Sequence, residues 1–450
     1  MKDHLRRKSL DYHAALPRGK IGITATKSCS TQADLSLAYT PGVAEPCLAI
    51  KQNKENVWKY TGKGNNVAVI TDGSAVLGLG NIGAEAALPV MEGKAVLFKK
   101  FADIDAFPIC LRSANGKDGH SGAGAIIEAV KMLEPAFGGI NLEDIASPAC
   151  FEIEERLKKS LNIPVFHDDQ HGTAIISLAA LLNGLELTGK KISEIKVVVN
   201  GAGAAGIACA KFYENAGVKH KNIIMCDRHG IVYHGRKMDM NSYKGYFAQD
   251  TDARSLTDAI KCADVFLGVS AGNVVSEKMV KSMNDMAMVF AMANPVPEIM
   301  PQKAKKADAY IVATGRSDFS NQVNNVLGFP GIFRGALDCN ARSITEKMKV
   351  AASQALAEIA REKVPKDVGK FLSLAYRKDA KRGMFNGNNP LAADYVIPKP
   401  FDPRVVPRVA KYVAEAAMKD KVARYRIGNI GRYEKEVAKR IMLCCMIREL

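Results

Sequence analysis

Four acidic residues in two adjacent pairs are the first candidates for chemistry. Glu143 and Asp144 form one pair, and Asp168 and Asp169 follow an apolar run at 163–166. Carboxylates in semi-buried positions repel one another unless a cation joins them. All-oxygen ligands suit Mg²⁺ or Mn²⁺ better than they suit zinc. The pattern therefore indicates a divalent metal site at these carboxylates.

Two other interpretations of the second acidic pair stay open at this point. His167 and His171 are four residues apart, so they could hold zinc from one face of a helix. Asp169 could instead cap the N-terminus of a helix that we predict over 172–187.

Two further residues could move protons. Lys94 begins the apolar run 94–98, which we interpret as a strand. A half-buried lysine there would have a lowered pKa and could act as a base, although a solvated strand end is the alternative. Tyr39 precedes a Pro-Gly turn, and taken alone it is more typical of a packing tyrosine.

The strongest local motif is rich in glycine. It follows an apolar run at 197–200 and reads Gly201-Ala202-Gly203-Ala204-Ala205-Gly206. In dinucleotide-binding folds these glycines allow the tight turn, the approach of a pyrophosphate and close helix packing. Asp227, at the end of the next apolar run, lies at the distance expected for an acid that binds ribose. A second match at 78–83 is weaker, because no series of alternating strands follows it.

The elements that must position these residues fall into two regions. Apolar runs at 197–200, 223–226, 265–268, 288–291 and 310–313 alternate with stretches long enough for helices. This rhythm predicts a Rossmann-like, doubly wound parallel sheet. The first 165 residues are less regular and predict a separate α/β domain, with a strand at 66–70 and a helix at 122–133. A Pro-rich extended stretch at 395–403 precedes a helix at 405–418. We place domain boundaries at 1–165, 166–390 and 391–450, the last being a basic extended and helical segment.

Composition excludes disorder, collagen and small disulfide scaffolds, since 47% of the 450 residues are hydrophobic and 24% are charged. The net charge is +16, and residues 361–450 carry most of it. One tryptophan and no zinc-finger spacing argue against nucleic acid, and no apolar stretch is long enough for a membrane span. Ten scattered cysteines without a CxxC pair indicate reduced, mostly buried thiols. We expect a cytoplasmic protein, with the basic tail a solvated or assembly surface.

Together the motifs resemble malic enzymes. The resemblance lies in the segments 36–44, 71–73 with 78–80, 92–94, 142–144, 166–173, 293–295 and 322–326. They run in the family's order over nearly the whole chain. The chain is most similar to bacterial NADP-dependent malic enzymes, which carry a C-terminal domain like phosphotransacetylase. Because this chain stops at Leu450, we expect that domain to be absent or removed.

The resemblance implies roles for individual residues. It makes domain 1–165 the substrate and metal domain, including the second glycine motif at 78–83. It implies oxidative decarboxylation of L-malate to pyruvate and CO₂ with reduction of NADP, by a homodimer or higher homo-oligomer. The implied residues are Glu143, Asp144 and Asp169 as Mg²⁺ or Mn²⁺ ligands; Lys94 as general base beside Asp168; Tyr39 as general acid; Asn294, Asn324 and Asn325 for substrate; and Gly201, Gly203, Ala204, Ala205 and Gly206 for the dinucleotide.

Two points depart from a simple assignment. Large eukaryotic malic enzymes place an arginine for a substrate carboxylate shortly after Thr-Asp-Gly, where this chain has Ser74-Ala75, so the second carboxylate has no assigned partner. Asp227 favours NAD by repelling a 2′-phosphate, whereas Arg228 could pair with that phosphate; the resemblance favours NADP. An NAD-preferring malic enzyme, a non-decarboxylating 2-hydroxy-acid dehydrogenase and a non-catalytic metabolite sensor or nucleic-acid-binding protein are the alternatives.

Overall fold

The computed structural model describes residues 2–76, 78–112, 122–387 and 390–448, with side chains described from residue 4 to residue 442. Ten strands and nineteen α-helices lie in these ranges. The strands are β1 (Asn66–Thr71), β2 (Asp105–Cys110), β3 (Gly139–Leu142), β4 (Val165–His167), β5 (Val197–Asn200), β6 (Ile223–Asp227), β7 (Gly230–Ile231), β8 (Val265–Gly268), β9 (Met288–Ala291) and β10 (Ile311–Thr314).

The helices frame both sheets and fill the chain between them. They are α1 (Lys2–Ala14), α2 (Gln32–Ala38), α3 (Ala44–Gln52), α4 (Val57–Tyr60), α5 (Ala84–Ala102), α6 (Ala123–Leu133), α7 (Ala149–Ser160), α8 (Asp168–Thr188), α9 (Ala204–Asn215), α10 (Ser242–Tyr246), α11 (Leu256–Ile260), α12 (Glu277–Lys281), α13 (Pro301–Lys306), α14 (Phe329–Asp338), α15 (Glu346–Arg361), α16 (Lys366–Ala375), α17 (Arg377–Ala380), α18 (Val405–Lys419) and α19 (Ile430–Arg448). No helix in the described ranges is both long and apolar enough to cross a membrane.

Two separate sheets carry the site residues. The first has four parallel strands in the order β2-β1-β3-β4. The second has the order β10-β9-β8-β5-β6-β7, parallel except for the short β7. Parallel strands bring their carboxyl ends to one edge of a sheet, where ligands bind in α/β folds. The strand predicted at 66–70 and the five strands predicted from 197 onward are confirmed, the last of them one residue later than expected.

One predicted strand is wrong and changes the position of Lys94. The run 94–98 belongs to the 19-residue helix α5. Its buried residues include Met91, Ala95, Phe98 and Ala102, which recur at helical spacing. A short apolar run does not by itself distinguish a strand from a buried helix, so the flanking residues must be considered as well. The helices predicted near 122–133, 172–187 and 405–418 are confirmed as α6, α8 and α18, with α8 starting four residues early at Asp168.

The main core joins the two sheets. Helix α8 is buried along most of its length, and it packs beside α9 and α15. Helix α14 presents Phe329 and Phe333 to Phe98 of α5 at ring distances of 4.7 and 5.2 Å. Such aromatic pairs add about 0.5–1.5 kcal/mol each beyond their burial. Contacts between α14 and α5 therefore fix the face of α5 that carries the predicted catalytic lysine.

The first sixty residues differ from the rest. None of the described residues 4–62 is buried. Leu16, Ile23 and Leu37 expose 83%, 95% and 76% of their surface. This segment thus leaves large apolar side chains outside the core of its own chain.

Cysteine burial is mixed. Cys150, Cys209, Cys226 and Cys339 are buried free thiols, as predicted, whereas three others are exposed: Cys29, Cys47 and Cys262. Cys110 is partly buried, and Cys444 and Cys445 lie outside the described side chains.

Candidate active site

Lys94 is held between two carboxylates inside the protein. Its Nζ lies 2.6 Å from Asp168 Oδ2 and 2.9 Å from Glu143 Oε1, and 4.2 Å from the centre of the Phe329 ring. Burial alone would lower the pKa of Lys94, but the ion pairs with Asp168 and Glu143 outweigh it and raise that pKa. The expected lowering of the Lys94 pKa is therefore wrong, because the sequence could not reveal that two carboxylates contact the amine.

Glu143 and Asp144 converge although they are adjacent in the chain. They follow β3, and successive side chains of an extended segment point to opposite faces. Asp144 escapes this rule because its φ is +53°, a left-handed conformation that aspartate tolerates better than most residues. Its neighbour Glu143 accepts a hydrogen bond from Asn141 Nδ2 at 2.9 Å. Both carboxylates thus come close to Asp169.

Asp168 and Asp169 open helix α8 directly after β4. Asp168 is fully buried; Lys94 and Asn325 Nδ2 (3.1 Å) donate to its Oδ2, while its Oδ1 is buried without a hydrogen-bond partner. Asp169 accepts from the backbone N–H of Asp144 at 2.8 Å. Asp169 therefore links β3 to α8 rather than capping its own helix, and the cap interpretation is wrong.

Three of these carboxylates form a cluster that fits a divalent cation. Oxygens of Glu143, Asp144 and Asp169 lie within 4.8 Å of one another. Burial, opposed by Lys94 but reinforced by neighbouring carboxylates, raises the pKa of Glu143 to about 8. Burial and the Asp144 charge raise the pKa of Asp169 to about 7. Mutual repulsion within an all-oxygen donor set is what a hard cation such as Mg²⁺ or Mn²⁺ relieves.

The zinc alternative does not match the geometry. His167 precedes α8, so it does not share a helix face with His171. The His171 ring instead lies 2.8 Å from Glu154 Oε1 through its Nε2 and 3.0 Å from Lys349 Nζ through its Nδ1. Burial lowers the pKa of both histidines to about 4. Among the described residues, the carboxylates rather than the imidazoles come together.

Sequence analysis missed the residues that hold this turn in place. Glu154 of α7 accepts from the backbone N–H of His167 at 3.0 Å and pairs with Lys158 at 2.8 Å. Lys349, which is 1% exposed, comes from α15 and reaches His171. These contacts join residues up to 178 positions apart, so no local spacing could have indicated them.

The glycine motif has the geometry predicted for it. Gly201 has φ +121°, and an added Cβ would lie 2.5 Å from the carbonyl of Val269. A Cβ on Gly206 would lie 1.7 Å from the Gly201 carbonyl, so both positions exclude side chains. Gly203 faces open space and precedes α9 without a side-chain cap. Unpaired N–H groups at such a helix start suit an anion. Ala204 and Ala205 form the first residues of that helix.

Asp227 is neutralised by residues that the sequence did not indicate. Its Oδ2 accepts from Arg236 and, at 3.0 Å, from Lys244 Nζ, while its Oδ1 accepts from the His229 N–H. Burial opposes this, but Arg236 and Lys244 hold the pKa of Asp227 below its usual value. Arg228 is 78% exposed beside Asp239. Asp227 is therefore neither a free ribose acceptor nor an uncompensated negative charge.

The three asparagines predicted to bind substrate occupy different positions. Asn325 donates to Asp168 as described above. Asn324 uses its side-chain oxygen to accept from Val326 N at 3.0 Å, so it caps a short helix. Asn294 is exposed after β9. Its carbonyl would lie 2.7 Å from a Cβ on Gly78, so the second glycine motif, which lies between β1 and α5, packs on the Asn294 loop.

Tyr39 is not brought to the carboxylates. It ends α2, exposes 69% of its surface, and its hydroxyl takes part in none of the hydrogen bonds among the described residues. Ser74 lies near the position where large eukaryotic malic enzymes have an arginine, and here it has a structural role. Its hydroxyl donates to Asp72 and accepts from Ala146 N, each within 2.8 Å. The second substrate carboxylate remains without an assigned partner.

Comparisons with known proteins agree with this arrangement. The model of the malic enzyme N-terminal domain matches residues 18–158, and that of the malic enzyme NAD-binding domain matches 170–374. The chain is 54% identical to the bifunctional malic/malolactic enzyme of Bacillus subtilis, covering 94% of this chain and 95% of that protein. It is 51% identical to the probable NADP-dependent malic enzyme of Rickettsia prowazekii, covering 96% of this chain and 54% of that protein.

The chain therefore spans about half the length of some curated relatives and nearly all of others. A crystal structure of malic enzyme from Pyrococcus horikoshii has a TM-score of 0.86 and 43% identity, covering 99% of this chain and 98% of that one.

Proposed function

The chain belongs to the malic enzyme family, and from this premise we propose that it converts L-malate to pyruvate and CO₂ while reducing NADP⁺. One observation carries the proposal: a buried lysine is paired with Asp168 and Glu143 beside a three-carboxylate cluster. A glycine loop shaped for a dinucleotide belongs to the neighbouring sheet. We infer that proton transfer, cation binding and hydride acceptance take place at one site.

Glu143, Asp144 and Asp169 would hold Mg²⁺ or Mn²⁺. Such a cation, when bound, makes the substrate hydroxyl more acidic and stabilises the negative charge that develops as CO₂ leaves. The 201–206 loop would hold the pyrophosphate of the dinucleotide, whose nicotinamide would supply the acceptor for the hydride from C2. Asn294 and Asn325 would orient the substrate with hydrogen bonds.

Lys94 would take the hydroxyl proton at Nζ. Asp168 and Glu143 raise its pKa, which favours the ammonium form. Glu143 would be shared with the cation, whose positive charge would favour the neutral, proton-accepting form of Lys94. Asp168 would keep the amine in place, since Asn325 donates to the same carboxylate oxygen. Cation binding would thus activate the base.

Tyr39 would protonate C3 to complete pyruvate, and its exposure suggests how it reaches a site. We propose that the apolar N-terminal segment pairs with a second copy in a homodimer or higher oligomer, and that Tyr39 serves a site of that copy. Exposed apolar surface of this kind marks protein–protein contacts.

Mixing inactive variants tests the placement of Tyr39. Lys94→Ala and Tyr39→Phe should each be inactive alone, yet exchanging their subunits should restore about a quarter of wild-type activity in a symmetric dimer. Recovery follows because a hybrid has one site with both residues intact. Activity measured after subunit exchange, with Lys94→Ala mixed with itself as control, gives the result. No recovery despite proven exchange would place Tyr39 in its own chain's site.

Cofactor choice follows from the charges around Asp227. Arg228, Arg236 and Lys244 outnumber Asp227 and Asp239, and Arg236 with Lys244 cancels the repulsion that Asp227 would exert on a 2′-phosphate. The neighbourhood therefore supports NADP⁺ over NAD⁺.

Lys244→Gln should raise the KM for NADP⁺ about tenfold, the value of one lost charge-assisted hydrogen bond. The KM for NAD⁺ should change much less, because NAD⁺ offers no phosphate at that place. Lys237→Gln removes the same charge from an exposed position in the loop that precedes α10 and serves as control. Equal losses with both cofactors would contradict the assignment.

Steady-state kinetics with L-malate test the function directly. We expect pyruvate and NADPH in equal amounts, dependent on Mg²⁺ or Mn²⁺. Oxaloacetate accumulating with NADPH and without pyruvate would instead favour the dehydrogenase that does not decarboxylate.

A further inference from the structure

A fully buried carboxylate outside the proposed chemistry lies between two loops at the edge of the second sheet. Glu298 is 0% exposed. Its Oε1 accepts from Ser270 N at 2.8 Å and from Ser270 Oγ at 3.1 Å, and its Oε2 accepts from Ala293 N at 3.1 Å. None of the ion pairs among the described residues includes it. Burying a carboxylate that has only neutral hydrogen-bond donors as partners costs free energy of folding. A functional role would explain why Glu298 is present at this position.

The surrounding backbone is built to admit this carboxylate. A Cβ on Gly268, the last residue of β8, would lie 2.4 Å from the Glu298 carboxyl carbon. The main chain adds two links, from Asn273 N to the Pro297 carbonyl and from Val275 N to the Glu298 carbonyl, each at 3.0 Å. The loops after β8 and β9 are thereby clamped to each other through Glu298.

These two loops serve the two halves of the proposed reaction. Ser270 also accepts from Asn200 Nδ2 at 2.7 Å, and Asn200 directly precedes the glycine loop. Val269 packs against Gly201 of that loop. On the other side, Ala293 directly precedes Asn294, which would contact the substrate. The hydrogen bonds of Glu298 therefore run from the dinucleotide loop to the substrate loop.

We propose that Glu298 is a positioning residue that sets the Asn294 loop at a fixed distance from the dinucleotide loop, an inference that rests on the proposed function. Hydride transfer demands that the two reacting carbons approach closely and in line. Glu298 fixes this approach without touching either ligand. Its Oε1 binds Ser270, next to the dinucleotide loop, and its Oε2 binds Ala293, next to Asn294.

Glu298→Gln separates the two sides. A glutamine carbonyl oxygen will keep the place of Oε1, which has two donors, and its NH₂ group must then face the N–H of Ala293. The repulsion falls on the Asn294 loop. We expect kcat/KM for malate to fall about 10- to 100-fold, while the dissociation constant for NADP⁺ in calorimetry changes less than about threefold.

Ser270→Ala is the matched control, since it removes the hydroxyl contacts to Oε1 and to Asn200 Nδ2 on the dinucleotide side and leaves Ala293 held. It should alter the KM for NADP⁺ and leave that for malate within about twofold. Adding Glu298→Gln to Asn294→Ala should cost almost nothing further, because residues that act through one another are not additive. A malate effect that is fully additive, or NADP⁺ binding lost equally, would overturn the inference.

Hydrogen exchange tests the same inference without turnover. Peptides covering 292–300 should exchange faster in Glu298→Gln than in wild type, while peptides covering 201–215 keep their protection. Glu298→Asp, one methylene too short to span both loops, should reproduce the change if the glutamine variant does not fold. Unchanged exchange at 292–300 refutes the positioning role. If wild type does not oxidise malate but the exchange pattern appears, the positioning stands and the proposed function fails.

Discussion

Lys94→Ala is expected to abolish malate oxidation while NADP⁺ still binds. A positioned base contributes about two to four orders of magnitude to a rate, and Lys94 is placed between Asp168 and Glu143 where water is largely excluded. The glycine loop lies on the other sheet, so its geometry should survive. Lys100→Ala, on the exposed side of the same helix, is the control and should keep near-wild-type turnover.

The same substitution should weaken the metal-free protein. Removing Lys94 leaves the buried carboxylates of Glu143 and Asp168 without their cation, and an uncompensated buried charge costs several kcal/mol. Added Mg²⁺ should therefore raise the melting temperature of the variant more than that of wild type. Kinetics for turnover, calorimetry for NADP⁺ and thermal unfolding for stability give the three readouts. A variant that keeps turnover, or that loses NADP⁺ binding, would show that Lys94 is not the base.

Removing the metal, or one ligand, is expected to have an equally large effect. Exhaustive EDTA treatment should stop turnover, and Asp169→Asn should lower it by a similar factor. Asparagine keeps the size of the side chain and an oxygen that can still accept from Asp144 N, but it removes one charge from the cluster. Excess Mn²⁺ should recover the EDTA-treated wild type fully and Asp169→Asn only in part. Full activity after EDTA treatment would exclude the metal role.

The cluster also predicts a pH dependence with a definite sign. The folded, metal-free protein has a pKa of about 8 for Glu143 and about 7 for Asp169, both above the values of an unfolded chain. From the pKa values of the unfolded chain up to about pH 8, the folded state binds more protons than the unfolded state. The stability of the folded state therefore falls as pH rises through this range. Mg²⁺ removes this disadvantage. The Mg²⁺-induced rise in melting temperature should therefore be larger at pH 8.5 than at pH 6.5; an equal rise at both would contradict the assignment.

Sequence predicted the parts of the site that depend on local pattern. The glycine loop, the parallel strands and the acidic pairs are all signalled by residues close together in the chain. The environment of Lys94 could not be predicted in this way. Its partners lie just after β3 and at the start of α8, and the apolar run 94–98 is equally compatible with a strand. Arg236 and Lys244 beside Asp227, and Lys349 behind His171, likewise require the fold to bring distant segments together. The domain boundaries at 165 and 390 stay predictions, and β4 at 165–167 joins the first sheet.

The continuous core through α8 and α14 has a consequence for modularity. Buried residues of both sheets, such as Val67 and Val197, belong to one hydrophobic cluster, although two family models divide the chain between them. Neither portion could be excised without exposing an apolar face. The two family models divide the chain by sequence similarity. In thermal unfolding, however, the two portions should melt together as a single cooperative unit.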